Sequence, residues 1–133
     1  MSNALDALLG AKPVSEITAK VSMERLGTEF TVKALTMDDI SQLKEEATYY
    51  TGDGKNRKAN VNEEKLGLLM LVAATVEPNF KDKAVLSHFD AKTAMQAVKK
   101  ALLPGEFSAL STAVTQISGL DPATEDDIDE AKN

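Results

Sequence analysis

Apolar and polar positions change rhythm along the chain. In the stretch EITAKVSMERLGTEFTVKAL, Ile17, Ala19, Val21 and Met23 alternate with Thr18, Lys20, Ser22 and Glu24. Beyond a turn at Leu26-Gly27, Phe30, Val32 and Ala34 alternate with Thr31 and Lys33. Period-two alternation on both sides of a glycine turn predicts a β-hairpin with one buried face. A hairpin alone is marginal in water, so that face has to pack on helices.

Helical spacing follows. Thr36, with Asp39 three residues on, is a short version of the capping box, and Ile40, Leu43, Ala47 and Tyr50 then recur along one face. Residues 51–62 (TGDGKNRKANVN) read as a polar loop, and Asn62 is an N-cap with Glu63 and Glu64 in the first turn. The helix it opens is apolar on most sides (Leu66, Leu68, Leu69, Met70, Val72, Ala73), as a central helix would be. Pro78 breaks it, and a short helix over residues 84–88 follows.

Residues 91–102 place Ala94, Met95, Val98, Ala101 and Leu102 on one face. After Pro104, Phe107, Leu110, Val114 and Ile117 fall at helical intervals up to Gly119, a natural helix stop. Before the hairpin, Leu5, Leu8 and Leu9 share one side of a short helical arm ended by Gly10 and Pro13. The predicted fold is therefore α+β, mostly α: an N-terminal β-hairpin packed on a bundle of about four helices. Residues 1–13 form an arm, 14–120 a single globular domain, and 121–133 an acidic tail too poor in apolar residues to fold.

A length of 133 residues suits one domain. The net charge of −6 is unevenly placed. Residues 121–133 hold six acids and one base, so the tail carries −5 and the body only −1. A nearly neutral body lacks the basic face that nucleic-acid binding requires, so no nucleic-acid partner is expected. The longest apolar run, residues 66–74, falls well short of the ~18–20 residues that span a bilayer, so no membrane partner is expected either. Residues 1–13 carry an acid and no positive n-region, unlike a secretory signal.

Catalytic and ligand motifs fail one by one. GDGKNRK at residues 52–58 lacks the Ser/Thr of a phosphate loop after its lysine, and follows a predicted helix instead of a strand. Read as a calcium loop, it puts Lys55 where an oxygen ligand belongs. Its cluster Lys55, Arg57 and Lys58 is suited to an acidic partner. There is no cysteine, and His88 is the single histidine, so a zinc site lacks ligands. His88 fits the last turn of a short helix, where the dipole favours it. No serine lies in a nucleophile elbow. The expectation is no enzyme, no catalytic residue, no metal and no cofactor. The break at LLPGE is a helix corner: Leu103 is held extended before Pro104, proline suits the first helical position, and Glu106 faces the positive helix end.

Three stretches also carry a family likeness: ALTMDDISQLKEEAT, VNEEKLGLLMLVAATVEPNFKDK and ALLPGEFSALSTAVTQISGLD. Together with the hairpin, over residues 14–121, they resemble the XkdN-like tail assembly chaperones of Gram-positive phages and prophages. The resemblance implies a non-enzymatic protein of the bacterial host cytoplasm, absent from the mature virion. Such a protein would bind the tape measure protein and keep it soluble for tail tube assembly, with the tail tube protein and a second copy of itself as further partners. The contact surface expected for that role is the last helix (Phe107, Leu110, Val114, Ile117) with the arm (Leu5, Leu8, Leu9), although part of that helix face must also close the core. In the wider class, ribosomal frameshifting often yields a longer second product, and residues 131–133 can be encoded by an A-rich slippery sequence. Two rival roles are a structural tail component, such as a completion or tube protein, and a small adaptor acting through its acidic tail.

Overall fold

The computed structural model describes residues 3–120, so the acidic tail expected at 121–133 lies outside the described residues. The arm is a helix, α1 (Asn3–Gly10), followed by a 3-10 turn at Val14–Glu16. Strands β1 (Thr18–Met23) and β2 (Thr28–Lys33) form the hairpin, with every residue of β1 paired from Thr18 opposite Lys33 to Met23 opposite Thr28. Its turn closes through Gly27, whose φ of 67° is left-handed and favours glycine. The alternation has its expected cause: Met23, Phe30 and Val32 are buried and their neighbours face out.

Helix α2 (Met37–Ala47) begins at the complete capping box. The Asp39 N–H donates to Thr36 Oγ1 at 3.0 Å, and the Thr36 N–H donates to Asp39 Oδ2 at 2.9 Å. Helix α3 (Glu63–Ala74) is capped by Asn62, whose Oδ1 accepts from the Lys65 N–H at 3.0 Å. Leu66, Leu68, Leu71, Val72 and Ala74 of α3 are buried, which makes it the central helix. The short α4 (Lys83–His88) holds His88 in its last turn, and α5 (Ala94–Ala101) and α6 (Pro104–Ile117) complete the body. At the end of α6, Gly119 takes a φ of 73°, and the Leu120 N–H returns to the Thr115 carbonyl at 2.8 Å.

Two helices end differently from the sequence expectation, for one shared reason. The helical spacing running to Tyr50 stops at Ala47, and the segment taken for a polar loop is a second hairpin, β3 (Thr48–Thr51) with β4 (Lys58–Val61). Similarly α3 passes directly into β5 (Thr75–Glu77), which pairs antiparallel with β2, so the main sheet runs β1-β2-β5. At each junction a threonine hydroxyl donates to the carbonyl four residues back: Thr48 to Lys44 and Thr75 to Leu71, both at 2.6 Å. Each threonine occupies a helix carbonyl while its own backbone turns extended, and β-branched or aromatic residues follow.

One core joins these parts. Phe30 and Val32 from the sheet meet Leu71 and Val72 of α3, Val98 of α5, and Leu110 and Val114 of α6. Phe80, beyond Pro78, is 3% exposed and packs edge-on against Phe30 with ring centroids 6.2 Å apart. Truncating Phe80 to alanine should therefore cost about 3–5 kcal/mol in urea unfolding, as expected of a buried aromatic. Thr36→Ala, which removes only a cap, should cost roughly 1 kcal/mol.

Candidate partner-binding surface

The corner before α6 is held from outside as well as by its own residues. Leu103 occupies the N-cap position with an extended ψ of 153° and offers no side-chain acceptor. Glu106, in the first turn, reaches back instead, its Oε1 accepting from the Leu103 N–H at 2.8 Å. Arg25, in the turn of the first hairpin, grips the same carboxylate in a fork: Nε to Oε2 and Nη2 to Oε1, both at 2.8 Å. Nη2 also donates to the Ala101 carbonyl at 3.0 Å, so one guanidinium ties the end of α5, the start of α6 and the hairpin turn together. The hydrogen bonds from Arg25, then from the Leu103 N–H, hold the Glu106 carboxyl below its usual range, and Glu106 in turn raises Arg25. The far end of α6 is tied as well, since Ser118 Oγ accepts from the Leu35 N–H at 2.9 Å.

Beside this corner, α3, α5 and α6 leave a groove of about 320 Å³. Gly67, Leu68, Val98, Leu102, Pro104 and Phe107 give it an apolar lining. Glu64 and Lys99, both well exposed, pair across it at 3.1 Å. A Cβ added at Gly67 would meet Phe107 Cζ at 3.7 Å, an ordinary contact.

The residues expected on the contact surface separate into two groups. Leu5, Leu8 and Leu9 lie on α1, 54%, 74% and 75% exposed, and α1 has no buried residue. Phe107 is half-buried at the groove, and Ile117 is half-buried against the core. Leu110 and Val114 are core residues at 0% and 2% exposure, which corrects their placement on a partner-facing surface. The reason is geometric: α6 is covered by β1 and β2 on one side and by α3 on another, so its apolar stripe closes the domain. The groove lining from α3 and α5 was not foreseen, since its residues looked like ordinary core positions of separate helices. Among the described residues no group of three or more His, Cys, Asp or Glu could hold a metal ion. No described helix is long and apolar enough to cross a membrane.

Residues 5–132 match the family described as phage XkdN-like tail assembly chaperone protein. The chain is 30% identical over 106 residues to the uncharacterized protein YqbN of Bacillus subtilis (strain 168), covering 78% of this chain and 71% of that one. It is 24% identical over 106 residues to the phage-like element PBSX protein XkdN of the same strain, covering 78% and 72% respectively. The crystal structure of YqbN superposes with a TM-score of 0.68 over 91% of this chain and all of that one. Identity over that superposition is 19%, so it bears on the fold alone.

The Arg25–Glu106 fork makes a pH prediction. Because the Glu106 pKa is lowered on folding, its contribution to stability is complete above the ordinary carboxylate range and is lost as pH falls through the lowered value. A double-mutant cycle with Arg25→Ala and Glu106→Gln, followed by urea unfolding, should show favourable coupling at neutral pH that vanishes in acid. Coupling that is absent at neutral pH, or unchanged in acid, would remove the fork from the account.

Proposed function

This chain belongs to the phage XkdN-like tail assembly chaperone family, and we propose that it binds the tape measure protein and keeps it soluble while the tail tube assembles. A holder for a long, apolar helical chain needs apolar surface that remains open after its own core is closed. The observation that carries this reading is the arm: Leu8 and Leu9 are about three-quarters exposed, on a helix that buries none of its residues. The groove with Phe107 at its edge is a second apolar surface, of a size to accept side chains from a helix. Leu5, Leu8, Leu9 and Phe107 are thus the proposed contacts, with Ile117 at the periphery. The work is done by reversible contact, without covalent chemistry, in the host cytoplasm, and the protein leaves before the virion is complete.

Co-expression with the tape measure protein of the same phage should raise that protein's soluble fraction, and the two should co-purify. Replacing Leu8 and Leu9 with aspartate should abolish both effects while far-UV circular dichroism and the unfolding midpoint stay as in the native chain, because neither residue supports the core. If the partner stays insoluble with the native chain and never co-purifies, this function is wrong. Finding the protein as a stoichiometric component of purified particles would instead establish a structural tail role.

A further inference from the structure

The β3–β4 hairpin stands outside the core. Its strands pair only with each other in a separate sheet, and none of residues 48–61 is buried. A two-stranded ribbon of this kind is marginal in water without something packed on it. Its hydrogen-bond pattern indicates where a further strand fits. The Asn62 N–H donates to the Ala47 carbonyl at 2.8 Å, which makes Ala47 and Asn62 a hydrogen-bonded pair. With Thr48 opposite Val61 and Tyr50 opposite Ala59, bonded and non-bonded pairs then alternate up the ribbon. Ala59 and Val61 therefore turn their N–H and C=O groups outward, along the free edge of β4. No described residue outside the ribbon bonds to either backbone.

The side chains beside that edge give it a sign. Arg57, Ala59 and Val61 share one face with Tyr50, and the Arg57 guanidinium lies 4.2 Å from the centre of the Tyr50 ring. Lys58 is on the other face with Tyr49, and Lys55 sits in the turn at the tip. None of the three cations makes an ion pair with a described residue. At the base of the ribbon, Glu45 and Glu46 end α2. The edge is thus cationic at its tip, aliphatic along β4 and acidic at its base. An incoming strand with acids beside Arg57 and Lys58, and β-branched residues beside Ala59 and Val61, matches this order. A second copy's β4 does not, because it brings the same cations to the edge. A nucleic acid does not either, since it presents no row of peptide groups to β4. Three cations on a body that carries −1 also release few counterions.

We propose that β4 accepts an extended acidic segment of another protein as a third strand, its carboxylates paired with Lys55, Arg57 and Lys58. The inference stands apart from the chaperone reading, which rests on the arm and the groove. The probe is a blocked peptide of alternating valine and threonine that ends in three glutamates, added to the full-length chain. Both tyrosines, Tyr49 and Tyr50, are on this hairpin and the chain has no tryptophan, so tyrosine emission reports binding. Emission should change saturably, and the Ala59 and Val61 amides should gain protection from hydrogen exchange. Binding should weaken about tenfold, the scale of a few exposed ion pairs, when the peptide's glutamates become glutamines. The chain carrying Lys55→Glu and Lys58→Glu should lose at least as much. No saturable change up to millimolar peptide, or binding that leaves Ala59 and Val61 unprotected, would overturn the proposal. So would equal affinity for the glutamine peptide. Tighter binding of single-stranded oligothymidylate would overturn it by assigning the hairpin to nucleic acid. Protection of the same amides that rises with protein concentration alone would overturn it by assigning the edge to a second copy.

Discussion

The main sheet has one apolar face, and α6 is the helix that covers its hairpin strands while also packing on α3. Leu110 and Val114 sit at that meeting point, fully enclosed, and the other parts are arranged around keeping them there. Both ends of α6 are fastened. At the start, Arg25 from the hairpin turn holds Glu106 and the last carbonyl of α5. At the finish, Ser118 holds the backbone of Leu35. Arg25 is 45% exposed and Glu106 only 13%, so the carboxylate is the more shielded partner of a pair that water partly screens. Packing supplies most of the stabilisation, and the fork sets where the helix begins relative to the sheet.

That constraint decides which surfaces remain for partners. The inner stripe of α6 is committed to the core, so apolar contact is left to three peripheral features. These are the arm with Leu8 and Leu9, the groove between α3, α5 and α6, and the aromatic residues of the second hairpin. The arm and groove are apolar, whereas the hairpin adds a basic tip.

Much of the body can be read from residue order where one face of an element is buried. Alternation at 17–23 and 30–34 marked β1 and β2 because the burial of Met23, Phe30 and Val32 imposes it. Thr36, Asn62 and Pro104 marked helix starts through local chemistry. Strand β5 is only three residues long and continues an apolar helical run, so it shows no period of its own. The β3–β4 hairpin buries nothing and therefore writes no pattern. The Phe107–Ile117 stripe was recognised as apolar, but spacing says that a face is covered without saying by what, which is why Leu110 and Val114 were misplaced. The Arg25–Glu106 pair joins residues 81 apart and leaves no trace in local sequence.

The central claim is that this fold closes its own core and holds its partner with the apolar surface left over. Amide hydrogen exchange of the chain alone and in complex with the tape measure protein tests it most directly. Protection should rise in residues 3–10 and in the parts of α3, α5 and α6 that line the groove, with the α6 interior around Leu110 and Val114 already protected and unchanged. A complex that forms while residues 3–10 and the groove exchange as freely as before would contradict it.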